Sequence, residues 1–277
     1  MPFHRRTLLA CAAALAVAAG AHAKDPKELV IGTSAGPYAD QVRLGIKPLL
    51  ERQGYKVRIV EFSDYVQPNL ALAEGALDAN VFQHIVYLKR FAAEHKLALS
   101  ELVTVPTAPI AIYSRRHTTL DDAKTGTTVA LPNDPTNEAR ALVMLEQLGW
   151  IRLRPNTDPV KASERDIAAN PKGIRLLPLE AAQLPRALQD ADYAFINGNY
   201  ALASGLKLTD ALRRETVSRN YVNLVAVRTA DRDKPFARDI ANAYRSRDFL
   251  AWTEKNQPGY AKTDYQLALL GQRAAAR

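Results

Sequence analysis

Cysteine is nearly absent: one in 277 residues, Cys11, close to the start of the chain. Beyond it there is no thiol, which excludes disulfide staples, cysteine nucleophiles and cysteine-bound zinc. Histidine is scarce as well. Only His84, His95 and His117 lie past residue 23, far apart and without paired acids beside them, so no metal site is expected. The phosphate-cradling G-x-x-x-x-G-K-[ST] loop, the H-E-x-x-H zinc helix and the dinucleotide G-x-G-x-x-G are missing. With no nucleophile evident beside a base, neither an enzyme nor a cofactor is expected. Lys and Arg total 37 against 29 Asp and Glu, a net charge of +8, but the charges are interspersed and no like-charged block occurs. That describes a solvated surface, and nucleic acid is not an expected partner. No apolar run beyond the first residues is long enough to cross a bilayer.

The start of the chain is different. His4, Arg5 and Arg6 precede an apolar run from Leu8 to Ala19, and Ala21-His22-Ala23 follows with small residues on either side of a spacer. This is the layout of a secretory signal over residues 1–23, with a mature chain beginning near Lys24 in the periplasm. Leu8-Leu9-Ala10-Cys11 has the form of a lipoprotein cleavage site. Cutting there would leave the apolar run on the mature side, so a soluble product is preferred to a lipid-anchored one. The mature 254 residues lose only Arg5 and Arg6 among formal charges, leaving +6, and suffice for one large or two modest domains.

The mature chain alternates short apolar runs with amphipathic stretches, the pattern of an α/β protein. Strands are expected at 28–32, 55–62 and 78–82, with helices carrying Val42, Ile46, Leu49 and Leu50 and spanning 68–76. A second series has strands at 110–113, 127–131, 174–177 and 193–196, and a helix at 138–148 closed by Gly149. A late strand runs over 221–228, a helical region over 235–255, and 155–159 reads as a surface loop.

Three constellations could carry chemistry. Phe62-Ser63-Asp64-Tyr65 and Phe82-Gln83-His84 with Tyr87 collect aromatics at strand ends, where open α/β sheets bind ligands. They suit a small ligand with an apolar side chain, or are core and its cover. Asn133-Asp134-Pro135-Thr136-Asn137-Glu138-Ala139-Arg140 is a helix start capped by Asn or Thr. Its dipole and Arg140 could receive a carboxylate, or Arg140 could pair with Glu138 or Glu146. Asn197, Asn199 and Asn223 offer amides that either donate to a carboxylate or accept from an ammonium, or they are turn and strand residues.

Taken together, FSDYVQPNLAL, GALDANVFQH, LPNDPTNEARAL, DYAFINGNYA and YVNLVAVR resemble the methionine-binding proteins of ABC importers, the MetQ/NlpA family, over about Leu29 to Arg228. The resemblance implies a two-lobed periplasmic-binding-protein fold (type II) with the ligand cleft between α/β lobes. Lobe I would combine 24–108 with 228–277, and lobe II would span 109–227. It also implies a monomeric receptor for methionine, in the L or D form, serving an ABC permease and ATPase. Alternatives are another small amino acid or a methionyl dipeptide on the same fold, or a periplasmic enzyme. The implied ligand residues are Tyr65, Phe82, His84 and Tyr87 around the side chain, Arg140 for the carboxylate, and Asn199, Asn223 and Asn197 for the amino-acid backbone. Three departures stand out: no lipobox cysteine ends the signal, Ala139 replaces an expected Gly, and the tail beyond Asp248 matches poorly.

Overall fold

The computed structural model describes residues 27–275, so the expected export signal and Cys11 lie outside the described residues. The chain begins with β1 (Glu28–Ser34), β2 (Lys56–Phe62), β3 (Ala79–His84) and β4 (Leu99–Thr104). Here β1 pairs in parallel with both β2 and β3. Every residue of β3 is buried, so the strand reads as a continuous run rather than an alternation. The segment carrying Val42, Ile46 and Leu50 is helical from Pro37 to Glu51, with a π-turn over Gln41–Ile46. Those three side chains are fully buried, and Leu49 packs partly against the same core.

After β4 the chain crosses into a second sheet. It forms β5 (Ala111–Tyr113), β6 (Thr128–Pro132), a ribbon of β7 (Arg152–Leu153) with β8 (Ile167–Ala169), then β9 (Arg175–Leu179), β10 (Tyr193–Ile196) and β11 (Arg213–Arg214). Between β6 and β7, the helix Pro135–Gln147 lays Ala141, Leu142 and Leu145 on the core of Val129, Leu131 and Phe195. Gly149 ends it at φ 68°, a left-handed conformation that glycine adopts without steric cost.

The chain then returns. The final strand β12 (Asn223–Arg228) lies antiparallel between β3 and β4. The two five-stranded sheets have orders β2-β1-β3-β12-β4 and β11-β5-β10-β6-β9, giving the two-lobed periplasmic-binding architecture. Placing β12 in the first sheet corrects the expected lobe boundary at Val227, because the return crossing lies before Asn223. The reason is burial: Leu224, Val225, Ala226 and Val227 are at most 1 % exposed, and an apolar run of this kind needs cover on both faces.

Two further differences concern helices. The helix Ile85–His95 follows β3 without a turn residue, and the His84 side chain caps it by accepting the Tyr87 N–H. The expected single region over 235–255 is two helices, Pro235–Tyr244 and Arg247–Asn256, broken where Ser246 Oγ accepts the Phe249 N–H. Ile240, Tyr244 and Phe249 pack on the first-sheet core. A last helix, Asp264–Ala275, follows a bridge between Ala261 and Thr107 at the first crossing. No helix among the described residues is long and apolar enough to span a membrane.

Candidate ligand-binding cleft

Both lobes turn the carboxyl ends of parallel strands toward each other. From the first lobe come Ser34 at the end of β1, Tyr65 just after β2, and Phe82 and His84 at the end of β3. From the second come Asn137 and Arg140, after β6, and Asn197 to Asn199, after β10. Between them lies a small cavity lined by side chains of both lobes. All eight residues singled out by the sequence line it: Tyr65, Phe82, His84, Tyr87, Arg140, Asn197, Asn199 and Asn223.

One end is aromatic. The Tyr65 ring stacks on Phe82 at a centroid separation of 5.6 Å and meets Tyr87 edge-on at 6.0 Å. Asp64 Oδ1 accepts the N–H groups of Val66 and Gln67, a local turn that presents Tyr65 inward. The helix Gln67–Ala73 behind it is anchored by a buried amide cluster, in which Asn69 exchanges hydrogen bonds with Gln83 and receives one from Asn80.

The other end is polar. Asp134, rather than Asn or Thr, caps the helix Pro135–Gln147 by accepting the Asn137 N–H at 3.0 Å. Burial holds its carboxyl above the usual range, against the opposing pull of its bonds from Asn137 and Thr136. Asn137 Oδ1 then collects three neighbours: Asn197 Nδ2 at 3.0 Å, Arg140 Nη1 at 3.1 Å and His84 Nε2 at 3.3 Å. Because His84 Nδ1 accepts the Tyr87 N–H, the ring proton is assigned to Nε2, which donates. Burial, reinforced by the Arg140 charge, pushes the His84 pKa down to about 3, so the imidazole is neutral at physiological pH.

Arg140 pairs with neither Glu138 nor Glu146. Its Nε donates to Glu215 Oε2 at 2.7 Å and its Nη2 donates to Glu215 Oε1, while the guanidinium lies 4.6 Å from the centroid of the Tyr221 ring. Burial pulls the guanidinium pKa down, but the Glu215 carboxylate outweighs it and the net shift is upward. Asn223 Nδ2 donates to the Phe82 carbonyl at 2.9 Å. Asn197 Oδ1 is buried without a hydrogen-bond partner among the described residues, and a buried acceptor of this kind is costly to leave unmade.

The sequence matches a family model described as NlpA lipoprotein over residues 29–264. The chain belongs to the NlpA lipoprotein family. It is 36 % identical over 253 residues to the probable D-methionine-binding lipoprotein MetQ of Vibrio cholerae, covering 89 % of this chain and 93 % of that protein. It is 35 % identical to the D-methionine-binding lipoprotein MetQ of Escherichia coli, covering 83 % and 86 %. A nutrient-binding protein of Burkholderia cenocepacia bound to methionine superposes with a TM-score of 0.81 at 40 % identity, covering 85 % of this chain and 99 % of that one.

Within this NlpA chain, several cleft residues had not been singled out. Tyr38 and Thr107 line the cavity. Tyr38 opens the helix after β1, so the rule that found Tyr65 and His84 could have found it. Asn137 was visible only as part of a turn, and Glu215 carried no signal because it lies in an irregular loop. Gly32-Thr33-Ser34-Ala35-Gly36 has the G-x-S-x-G spacing of a hydrolase elbow. Here Ser34 Oγ receives Asn199 Nδ2 at 3.2 Å, and both nitrogens of His84 are occupied elsewhere. No imidazole is bonded to Ser34 among the described residues, so the spacing stands without its base. The described residues also hold no group of three metal-ligating side chains.

Proposed function

We propose that this protein is the periplasmic receptor of an ABC importer, capturing methionine without transforming it and delivering it to a permease and its ATPase. The observation that carries this reading is the asymmetry of the enclosed cleft. Arg140 uses three of its five N–H donors on Glu215 and Asn137, leaving one on each Nη for a ligand carboxylate. Asn197 Oδ1 is an unpaired acceptor suited to an ammonium. Tyr65, Phe82 and Tyr87 offer a wall for a thioether, whose sulfur–aromatic contacts contribute about 0.3–1.5 kcal/mol each. The relatives described as methionine-binding and the methionine-bound structure support the same ligand.

The mature protein is exported by residues 1–23 and acts as a monomer that is free in the periplasm. The lipoprotein relatives make acylation the competing outcome. Mass spectrometry of exported protein separates the two, since a free amine at Lys24 supports the soluble form and a diacylglycerol on Cys11 overturns it.

Ligand identity is tested by thermal shift of refolded, ligand-stripped protein against L- and D-amino acids and methionyl dipeptides. A ligand at 100 times its Kd adds about 2.7 kcal/mol of stability. A selective shift with methionine is the expected result, and a flat response across the panel overturns the assignment.

A further inference from the structure

Arg140 and Glu215 form a partition. Arg140 lines the ligand cavity on one side, and both residues line a separate outer pocket on the other. Glu215 is absent from the inner cavity wall. Both side chains are nearly sealed from water, at 5 % and 7 % exposure. Glu215 has a second duty, since its Oε1 accepts the Ile110 N–H at 2.9 Å and its own N–H donates to the Ile110 carbonyl at 3.1 Å. It therefore ties the guanidinium to the first crossing between the lobes.

We infer that Glu215 sets the charge selectivity of the cleft, making the site accept a zwitterion and reject ligands that carry only one of its charges. This rests on the proposed amino-acid receptor function. The cavity lining contains one ionised side chain, Arg140, and Glu215 balances it from behind, while His84 is neutral. A bare guanidinium in this low-dielectric site would be an anion trap, favouring any carboxylate of suitable shape. With Glu215 in place the pair carries no net charge. A ligand carboxylate is then welcome only with an ammonium that returns the enclosure to neutrality, and Asn197 Oδ1 is the unpaired acceptor ready for it. Uncompensated charge in a sealed site is strongly disfavoured, and like-charge juxtaposition is a recognised means of rejecting wrong partners. Glu215 acts through Arg140, as a positioning and charge-balancing residue.

The experiment compares three ligands of one shape and different charge: methionine, its des-amino analogue (an anion) and methionine amide (a cation). Affinities are measured by calorimetry on wild-type, Glu215→Gln and Glu215→Asp proteins. For Glu215→Gln the expected change tracks ligand charge. The preference for methionine over the anion falls at least tenfold, and the amide loses more than methionine does. Glu215→Asp, which keeps the charge, preserves the wild-type order. Equal losses for all three ligands in Glu215→Gln, or no change in any, overturn the inference, because a merely structural role moves all three alike. If Glu215→Gln does not fold, loss of the wild-type order in Glu215→Asp overturns it and preservation supports it. A wild-type protein that binds none of the three overturns the receptor reading together with this one, whereas wild-type binding with uniform mutant losses overturns only the role of Glu215.

Discussion

Tyr65 Oη donates to Asn199 Oδ1 at 2.7 Å, and the same Asn199 donates through Nδ2 to Ser34 Oγ at 3.2 Å. Tyr65 and Ser34 belong to the first lobe and Asn199 opens the helix Gly198–Ala203 of the second. Beside them Tyr200 Oη donates to the Ser63 carbonyl. These bonds latch the lobes together across the aromatic end of the cleft, so residues proposed to flank a ligand side chain also hold the cleft shut.

Tyr65→Phe separates those two roles. The ring keeps its stack on Phe82, but the bond to Asn199 is lost. A hydrogen bond of this kind is worth about 1 kcal/mol net, so methionine affinity is expected to fall about fivefold. Tyr65→Ala removes the ring as well and should cost more than tenfold. Titration calorimetry on both variants checks the order, and equal affinities would show that the latch adds nothing.

Arg140→Ala leaves Glu215 buried without its partner. Breaking such a pair typically costs about 3–5 kcal/mol, so urea unfolding of the ligand-free protein should report a loss of that size. Binding of methionine should fall well beyond tenfold. Arg140→Lys keeps the charge yet cannot reproduce the two-pronged contact with Glu215, and an intermediate affinity is expected.

His84 makes stability depend on pH. Its folded pKa is about 3 against an ordinary 6.5, so between those values the unfolded chain binds a proton that the folded chain refuses. Stability is therefore unaffected above pH 6.5. It decreases as pH falls toward 3, with a slope approaching roughly 1.4 kcal/mol per pH unit. Unfolding measured from pH 4 to 7 in wild type and His84→Asn should reveal a shallower slope in the variant. Identical slopes would mean that His84 is not held neutral.

Gly198 fits only as glycine. A Cβ there would stand 2.5 Å from Ala108 Cβ and 2.6 Å from the Pro109 carbonyl oxygen, where the first crossing passes the start of the helix. The obstacle is largely backbone and cannot rotate away. Gly198→Ala is expected to destabilise the protein by about 1–3 kcal/mol, lowering its melting temperature and its methionine affinity together. Unchanged values would show that the crossing yields.

The sequence carries the fold class and most of the elements, because burial on a sheet or helix face leaves a period that can be read locally. It placed β1, β6 and β10 and the helix over Pro135–Gln147 to within a few residues. It also picked out Tyr65, Phe82, His84 and Arg140, because aromatic, imidazole and guanidinium groups at strand ends and helix starts are conspicuous in a sequence. The helix Ile85–His95 escaped because its cap is a histidine rather than a turn residue. The return of β12 to the first sheet, the joining of His84, Asn197 and Arg140 by the Asn137 acceptor, and the place of Glu215 behind Arg140 all come from long-range packing. Arg140 and Glu215 are 75 residues apart. Pairing at that separation follows from where the crossings bring the chain together, and local residue spacing carries no record of it.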